Sequence, residues 1–190
     1  MRIDSGAHKG KKLVVPEGRD VRPTADRARQ AIFNMLVHGD NIVRDARVLD
    51  AFAGSGALGL EALSRGAASL VAFDSDAASL KVIRANVAGC REETRTTVQA
   101  ADATRPPAAR GFGERAPADL IFLDPPYGKD LVPTALAALE KNGWIASDAV
   151  VVAEMDRRDP FDPPAGYELV TDRAYGKARI IILRKGGSAG

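Results

Sequence analysis

The sequence predicts an α/β fold built around a mostly parallel sheet. Two observations support this prediction: from residue 46 onward short apolar segments alternate with helical patterns, and the chain closes with two apolar segments around a polar turn. Alternation of this kind is typical of βαβ units, which bring successive strands together in parallel. With 190 residues, the chain is long enough for one domain that folds without disulfides or a structural metal.

The region before this alternation is predicted to form an arm and a helix. Residues 1–20 contain short apolar pieces separated by glycines, a pattern that favours a small β-hairpin or arm. Thr24 occupies a position typical of an N-cap, and apolar residues at helical spacing predict an amphipathic helix over 25–37. We therefore expect an arm-and-helix region at 1–40, followed by an α/β domain at 41–190.

The alternating region contains five predicted strands, three predicted helices and a terminal hairpin. We expect strands at 47–52, 69–73, 96–99, 118–123 and 149–152, helices at 57–65, 76–88 and 131–141, and hairpin strands at 167–170 and 178–183. The segment 103–117, rich in Pro, Ala, Gly and Arg, is predicted to be a loop.

The composition excludes several classes of protein. A single cysteine argues against a disulfide framework or a multi-thiolate zinc site, and two histidines argue against a histidine-built metal site. The N-terminus is charged from Arg2 and lacks the apolar stretch of a signal peptide, and no apolar run reaches the roughly 18 residues of a membrane helix. We expect a cytoplasmic, metal-free protein that acts as a monomer.

The net charge of +2 hides an uneven distribution. Residues 1–29 carry a net charge of +4, residues 30–166 carry −5 and residues 167–190 carry +3. Two basic ends around an acidic middle indicate a polyanionic partner held by the ends. The alternative is that the basic residues are simply solvated surface.

A glycine-rich loop follows the first predicted strand of the alternating region. Gly54, Gly56 and Gly59 form a GxGxxG pattern that opens a helix, where the absence of Cβ atoms lets a ligand approach the backbone. An NAD-binding Rossmann domain and a purely structural tight turn both fit this pattern. Asp50 favours a third interpretation, because a carboxylate would repel a pyrophosphate but would help to hold the amino-acid end of S-adenosylmethionine, a cationic cofactor.

Two further acids follow the next strands. Asp74 stands where a carboxylate accepts hydrogen bonds from the ribose hydroxyls of an adenosine, and Asp102 stands where it would accept from the adenine amino group. The alternative for each is a solvated loop acid or a helix cap. Asp76 is better explained as the cap of the helix that it precedes.

The tetrapeptide Asp124-Pro125-Pro126-Tyr127 follows the most apolar strand and therefore lies at the carboxyl edge of the sheet, where such folds bind ligands. The prolines fix the backbone and remove two donors, which leaves the Asp124 carboxylate and the Pro125 carbonyl as acceptors. Acceptors that take both N–H bonds of a nucleobase amine localise the nitrogen lone pair for attack on a methyl donor. Tyr127 adds an aromatic face on which the base can stack.

The segment from Asp50 to Gly56 and the tetrapeptide from Asp124 to Tyr127 resemble motif I and motif IV of class I S-adenosylmethionine-dependent amino-methyltransferases. The stretches 9–13, 22–29 leading into 32–34, and 48–67 further resemble the RsmD family, which methylates a guanine N2 in 16S ribosomal RNA. The resemblance implies a Rossmann-like, seven-stranded sheet with an N-terminal β-arm and helix and a C-terminal β-hairpin. It implies catalysis by Asp124 to Tyr127 and a cofactor site formed by Asp50, Phe52, Ala53, Gly54, Gly56, Asp74, Ser75, Asp102 and Ala103. Asp74 departs from the family, which commonly has glutamate there.

The basic ends supply the predicted RNA contacts, within small-subunit particles. These are Arg2, His8, Lys9, Lys11 and Lys12 on the arm, Arg22, Thr24 and Arg27 near the pocket, and Lys177 and Arg179 in the terminal hairpin. Arg27 could instead pair with Asp26 or Glu61. The alternatives for the whole chain are an adenine-N6 or cytosine-N4 DNA methyltransferase, a non-catalytic RNA-binding module and an NAD-linked enzyme.

Overall fold

Strands and helices alternate along the chain in this computed structural model, which describes residues 1–16, 23–38, 41–126 and 131–186, with the side chains of the first helix described from Asp26. The strands are β1 (Arg47–Asp50), β2 (Ser69–Asp74), β3 (Thr96–Ala100), β4 (Ala118–Leu123), β5 (Ile145–Asp156), β6 (Tyr167–Tyr175) and β7 (Ala178–Lys185). The helices are α1 (Pro23–Val37), α2 (Ala57–Ser64), α3 (Ala77–Cys90) and α4 (Leu131–Lys141), with a 3-10 helix at Ala109–Arg115.

The seven strands form one sheet in the order β3-β2-β1-β4-β5-β7-β6. Strands β1 to β5 are mutually parallel, and β7 runs antiparallel to both of its neighbours. This confirms the predicted mostly parallel sheet and its terminal hairpin. The strand order reverses between β1 and β4, and the carboxyl ends of strands on either side of such a reversal enclose the ligand crevice of open α/β sheets.

Two apolar clusters cover the two faces of the sheet. On one face α1, α2 and α3 contribute buried side chains such as Phe33, Leu60 and Ile83, and the ring of Phe33 lies 5.7 Å from that of Phe122 on β4. On the other face α4 and the 3-10 helix cover the sheet around the fully buried Trp144. No helix among the described residues is long and apolar enough to cross a membrane.

Part of the predicted loop 103–117 is ordered by packing. Phe112 in its 3-10 helix contacts Phe73 and Trp144, with ring centroids 6.1 and 4.7 Å away. The indole N–H of Trp144 donates to the carbonyl of Pro107 at 2.8 Å. The segment therefore seals one end of the second apolar cluster, in addition to connecting β3 to β4.

The predicted start of α1 and the predicted bounds of β5 and β6 were wrong, and β6 extends from Tyr167 to Tyr175 instead of ending at residue 170. Strand β5 is longer than 149–152, because it pairs with β4 on one side and with β7 as far as Asp156 on the other. Helix α1 begins at Pro23, so Thr24 lies in the first turn and not at the N-cap. Proline suits that first turn because its fixed φ is helical and its missing N–H would have no intrahelical partner.

The N-terminal arm packs against α2. Ile3 and Leu13 are buried in the same apolar cluster as α1, and Arg2 pairs with Lys12 in an isolated antiparallel bridge. The buried carboxylate of Glu61 accepts hydrogen bonds from the backbone N–H groups of Asp4 and Ser5, at 2.7 and 3.1 Å. Buried side chains from segments 1–40 and 41–190 share this cluster. The division of the chain into these two regions stays a prediction.

Candidate active site

The glycine loop turns the chain sharply from β1 into α2. Gly54 and Gly56 have φ values of 56° and 77°, in the left-handed region that glycine enters without a steric penalty. Gly59 is required for a different reason: a Cβ atom there would lie 2.5 Å from Cδ1 of Leu70, so α2 could not pack as closely on β2. The shape of the loop therefore depends on Gly54 and Gly56, and the packing of α2 on β2 depends on Gly59.

Asp50, the last residue of β1, is completely buried beneath this loop. Its Oδ2 accepts a hydrogen bond from the backbone N–H of Gly59 at 3.1 Å, whereas Oδ1 has no hydrogen-bond partner among the described residues. Burial raises the pKa of the carboxyl to about 7; the Gly59 N–H opposes the rise and the negative charge of Asp74 adds to it. A buried carboxylate oxygen without a donor fits a ligand that brings a cationic amine.

Asp74, the last residue of β2, holds the glycine loop from the other side. Its Oδ2 accepts from the backbone N–H of Gly54 at 2.8 Å and its Oδ1 accepts from that of Asp76 at 2.9 Å. Asp76 in turn caps α3 by accepting from the backbone N–H of Ser79, which confirms its predicted role as a cap. Asp74 thus links two loops at the carboxyl edge, and its contact with a ribose stays a prediction.

The remaining predicted cofactor residues lie farther along the same edge. Asp102 follows β3, and its Oδ1 accepts from the backbone N–H and the hydroxyl of Thr104, at 2.9 and 2.7 Å. These hydrogen bonds, aided by Arg105, hold the pKa of Asp102 below its usual value. Ala103 is buried and Ser75 is exposed. The structure therefore presents an ionised Asp102 at the edge of the sheet.

Asp124 stands directly after β4, next to the end of β1. Asp50 pairs in register with Phe122, two residues before Asp124, and the backbone N–H of Ala51 donates to the Phe122 carbonyl at 3.0 Å. Asp124 and Pro126 are exposed, and Pro125 is buried. Tyr127 lies outside the described residues.

A cavity of about 220 Å³ joins the glycine loop to Asp124. One wall comes from the glycine loop, another from the ends of β4 and β5, and a third from the N-terminal segment, including Met1 and Arg29. Of the predicted site residues, the cavity brings together Phe52, Ala53, Gly54 and Asp124. One space thus contacts both the candidate cofactor loop and the candidate catalytic carboxylate.

Sequence reasoning missed two charged residues that line this cavity, Arg29 and Glu154. Arg29 is 5% exposed and donates to the carboxylates of Asp26 and Asp4 and to the carbonyl of Arg2. Its spacing from the buried Ile32 places it on the apolar face of α1, a signal that was available in the sequence. Glu154 was missed because the predicted fifth strand stopped at residue 152.

The predicted RNA contacts fall into two groups. Six of these residues are exposed to solvent: Lys9, Lys11, Lys12, Arg27, Lys177 and Arg2, whose guanidinium also donates to the carbonyl of Gly10 at 2.8 Å. Arg27 was weighed as a partner of Asp26 or Glu61, but these acids pair with Arg29 and Arg65 instead. The exposed group keeps its predicted role as an RNA surface.

Other predicted RNA contacts are engaged within the protein. Nε2 of His8 lies 2.6 Å from the carboxylate of Glu92, and Arg179 forms two hydrogen bonds to Asp172, at 2.8 and 2.7 Å. Arg22 lies outside the described residues, as does the side chain of Thr24. For His8 and Arg179, a contact with RNA would compete with an existing hydrogen bond to a carboxylate.

Comparison with known proteins places the chain in a family. The family described as "Conserved hypothetical protein 95" matches residues 1–184. The ribosomal RNA small subunit methyltransferase D of Escherichia coli (strain K12) is 35% identical over 186 residues, which cover 97% of this chain and 90% of that protein.

Solved structures share the fold of this chain. The yhhF protein of Escherichia coli, described as a methyltransferase, superposes with a TM-score of 0.82 at 32% identity and covers 99% of both chains. The magnesium protoporphyrin IX methyltransferase of Synechocystis PCC 6803, solved with bound S-adenosylmethionine, shares the fold at a TM-score of 0.66 and 12% identity, covering 88% of this chain and 82% of that one. The chain belongs to the RsmD family, that of the ribosomal RNA small subunit methyltransferase D proteins.

Proposed function

We propose that this protein transfers a methyl group from S-adenosylmethionine to the exocyclic N2 amine of a guanine in 16S ribosomal RNA, as a cytoplasmic monomer acting on small-subunit particles. The observation that carries the proposal is the position of Asp124, which follows β4 and lines the same cavity as Gly54. A carboxylate there can accept hydrogen bonds from an amine that faces the cofactor loop.

The cofactor side of the site fits S-adenosylmethionine. The buried Oδ1 of Asp50, which has no partner among the residues described, would accept from the ammonium of the amino-acid end. The glycine loop offers backbone without Cβ atoms at Gly54 and Gly56. Asp74 ends β2 and Asp102 follows β3, and they would accept hydrogen bonds from the ribose and the adenine. When bound, the cofactor supplies a methyl carbon on a positively charged sulfur.

The substrate side of the site orients and activates the amine. Asp124 and the carbonyl of Pro125 accept its two N–H bonds, which localises the nitrogen lone pair, and Tyr127 stacks on the base. The nitrogen would form one bond to the methyl carbon as the bond from that carbon to the sulfur breaks. The electron pair of the broken bond would stay on the sulfur, which leaves as the neutral thioether of S-adenosylhomocysteine, and the nitrogen would release one proton, to Asp124 or to water. A guanine within structured RNA must leave its stack to reach the cavity, and the exposed basic residues would hold the surrounding phosphates.

Methyl transfer to RNA, followed by identification of the nucleoside, tests the proposal. Tritiated S-adenosylmethionine is incubated with naked 16S RNA and with small subunits, and the labelled nucleoside is identified after digestion. We expect N2-methylguanosine; label in N6-methyladenosine or N4-methylcytidine would refute the proposed base.

The catalytic role of Asp124 is tested separately. Asp124→Ala should abolish incorporation while calorimetry with S-adenosylmethionine gives nearly unchanged affinity. Asp162→Ala is a matched control because Asp162 is an exposed aspartate outside the cavity wall. An active Asp124→Ala enzyme would remove Asp124 from the mechanism.

A further inference from the structure

A second carboxylate, that of Glu154, lines the cavity next to Asp124. Strands β4 and β5 are parallel neighbours, and Leu123 pairs in register with Ala153. The next residues are Asp124, directly after β4, and Glu154, within β5, and the register therefore brings them to neighbouring positions at the carboxyl edge of the sheet. Glu154 is half-buried, whereas Asp124 is exposed.

Asp124 and Glu154 line the cavity on the same face of the sheet. Phe122 and Val152 belong to the apolar cluster under α1, whereas Leu123 and Ala153 belong to the cluster on the opposite face. Because successive side chains on a strand alternate, Glu154 shares the face of Val152. Asp124, directly after β4, lines the same cavity as Phe122, Val152 and Glu154. This is the face on which α1 and the N-terminal arm enclose the cavity.

The backbone of Glu154 is held more firmly than that of Asp124. Strand β5 continues beyond the end of β4, and Glu154 pairs in register with Ile180 of β7. A side chain on a paired strand is positioned more precisely than one on a loop, which suits a group that must select a ligand by geometry. Asp124 leads into the proline segment, whereas Glu154 lies within a regular strand.

The guanine edge offers the partners that two adjacent carboxylates need. Guanine carries an N1–H donor beside its N2 amine, so the edge presents consecutive donors. The exocyclic amine of adenine adjoins N1 and that of cytosine adjoins N3, both of which are acceptors and would face Glu154 unfavourably. Sites built to accept a hydrogen bond discriminate strongly against analogues that lack the donor, because the buried acceptor is then left unpaired.

We infer that Glu154 is a specificity-determining residue that accepts a hydrogen bond from guanine N1–H while Asp124 and Pro125 hold the N2 amine. This inference rests on the proposed guanine-N2 activity and assigns the choice of base to a residue outside the Asp124–Tyr127 motif. Glu154 acts on substrate selection and takes no part in the transfer of the methyl group.

The test compares guanine with 2-aminopurine, which keeps the 2-amine but has an acceptor at N1. Once the methylated guanine is located with the wild-type enzyme, ligated RNA substrates carry either base at that position. The wild type should prefer guanine in kcat/KM by about tenfold or more. Glu154→Gln should lower this preference about tenfold, because the glutamine amide can donate to N1 of 2-aminopurine.

Two further variants keep the result interpretable. Glu154→Ala, which offers neither donor nor acceptor, should also lower the preference, and both variants should bind S-adenosylmethionine as the wild type does. Glu168→Gln, an exposed glutamate on β6, is the matched control and should leave the preference unchanged. A wild-type product other than N2-methylguanosine would overturn the proposed function and this inference together. N2-methylguanosine with an unchanged preference in both Glu154 variants would overturn the inference alone.

Discussion

The carboxylate of Asp74 accepts a hydrogen bond from the backbone N–H of Gly54 at 2.8 Å, which ties the end of β2 to the glycine loop after β1. The same carboxylate accepts from the N–H of Asp76, at the start of α3. One buried side chain thus holds two loops at the cofactor edge, so loop geometry and cofactor affinity depend on the same residue.

Asp74→Ala should therefore lower both stability and cofactor affinity. Loss of two hydrogen bonds to a buried carboxylate should lower the free energy of unfolding by about 2–3 kcal/mol. Chemical denaturation measures that change, and calorimetry measures the weaker binding of S-adenosylmethionine. Asp162→Ala, at an exposed aspartate, should change neither quantity. Full cofactor affinity in Asp74→Ala would show that the loop keeps its shape without this link.

Asp50 should make cofactor binding depend on pH. Burial raises the pKa of Asp50 to about 7 in the free protein, so the carboxyl is partly protonated near neutrality. A cationic ligand favours the ionised form, so binding should release a proton. Affinity for S-adenosylmethionine should fall about tenfold between pH 8 and pH 6.

The ionisation of Asp50 should affect stability in the opposite direction: raising the pH should strengthen cofactor binding but lower the free energy of unfolding of the free protein. A raised pKa in the folded state means that the contribution of Asp50 to the stability of the free protein is fully present below its ordinary pKa of 3.8 and is lost progressively as the pH rises from there to about 7. Asp50→Asn should remove this loss and also flatten the pH profile of cofactor affinity. Calorimetry in two buffers of different ionisation enthalpy measures the released proton, and equal proton release by Asp50→Asn would assign the effect to another group.

Much of the fold and half of the site followed from local sequence patterns. Glycine spacing after a strand identified the loop at Gly54 and Gly56, and an acid with two prolines after an apolar strand identified Asp124. These signals are local because backbone conformation and strand termination are encoded by neighbouring residues.

The remaining features depend on contacts between distant segments. Glu154 reaches the cavity only because β5 is extended by pairing with β7, and the sequence around it contains polar residues that read as a loop. Likewise, His8 pairs with Glu92, which is 84 positions away in the sequence. Tertiary pairing of this kind overrides the local preference from which strand ends and free charges are predicted.

Glu61 should control the docking of the N-terminal arm. Its buried carboxylate binds the N–H groups of Asp4 and Ser5 and pairs with Arg65 at 2.7 Å. Glu61→Ala should lower the free energy of unfolding by about 3 kcal/mol or more, because it leaves a mostly buried guanidinium without its partner. Hydrogen exchange should show faster exchange of the Asp4 and Ser5 amides.

The exposed Glu93 provides the control for this change. Glu93→Ala should alter neither the unfolding free energy nor the exchange rates of the arm. If the arm amides in Glu61→Ala stay as protected as in the wild type, then Ile3 and Leu13 anchor the arm by apolar burial alone.

Lys11 and Lys12 should contribute to RNA affinity through phosphate contacts. Both side chains are exposed on the arm. A cation that neutralises a phosphate releases a counterion. Changing both lysines to glutamine should therefore reduce the slope of log K for RNA binding, plotted against the logarithm of the salt concentration, by nearly 2. The substitutions Lys11→Gln and Lys12→Gln are combined in one variant, and its RNA affinity is measured from low to physiological salt.

A second double variant, Lys81→Gln plus Lys141→Gln, changes exposed lysines on α3 and α4 and serves as the control for general charge loss. If the control lowers the slope as much as the arm variant, the arm makes no phosphate contacts of its own and RNA attraction is a property of the overall charge.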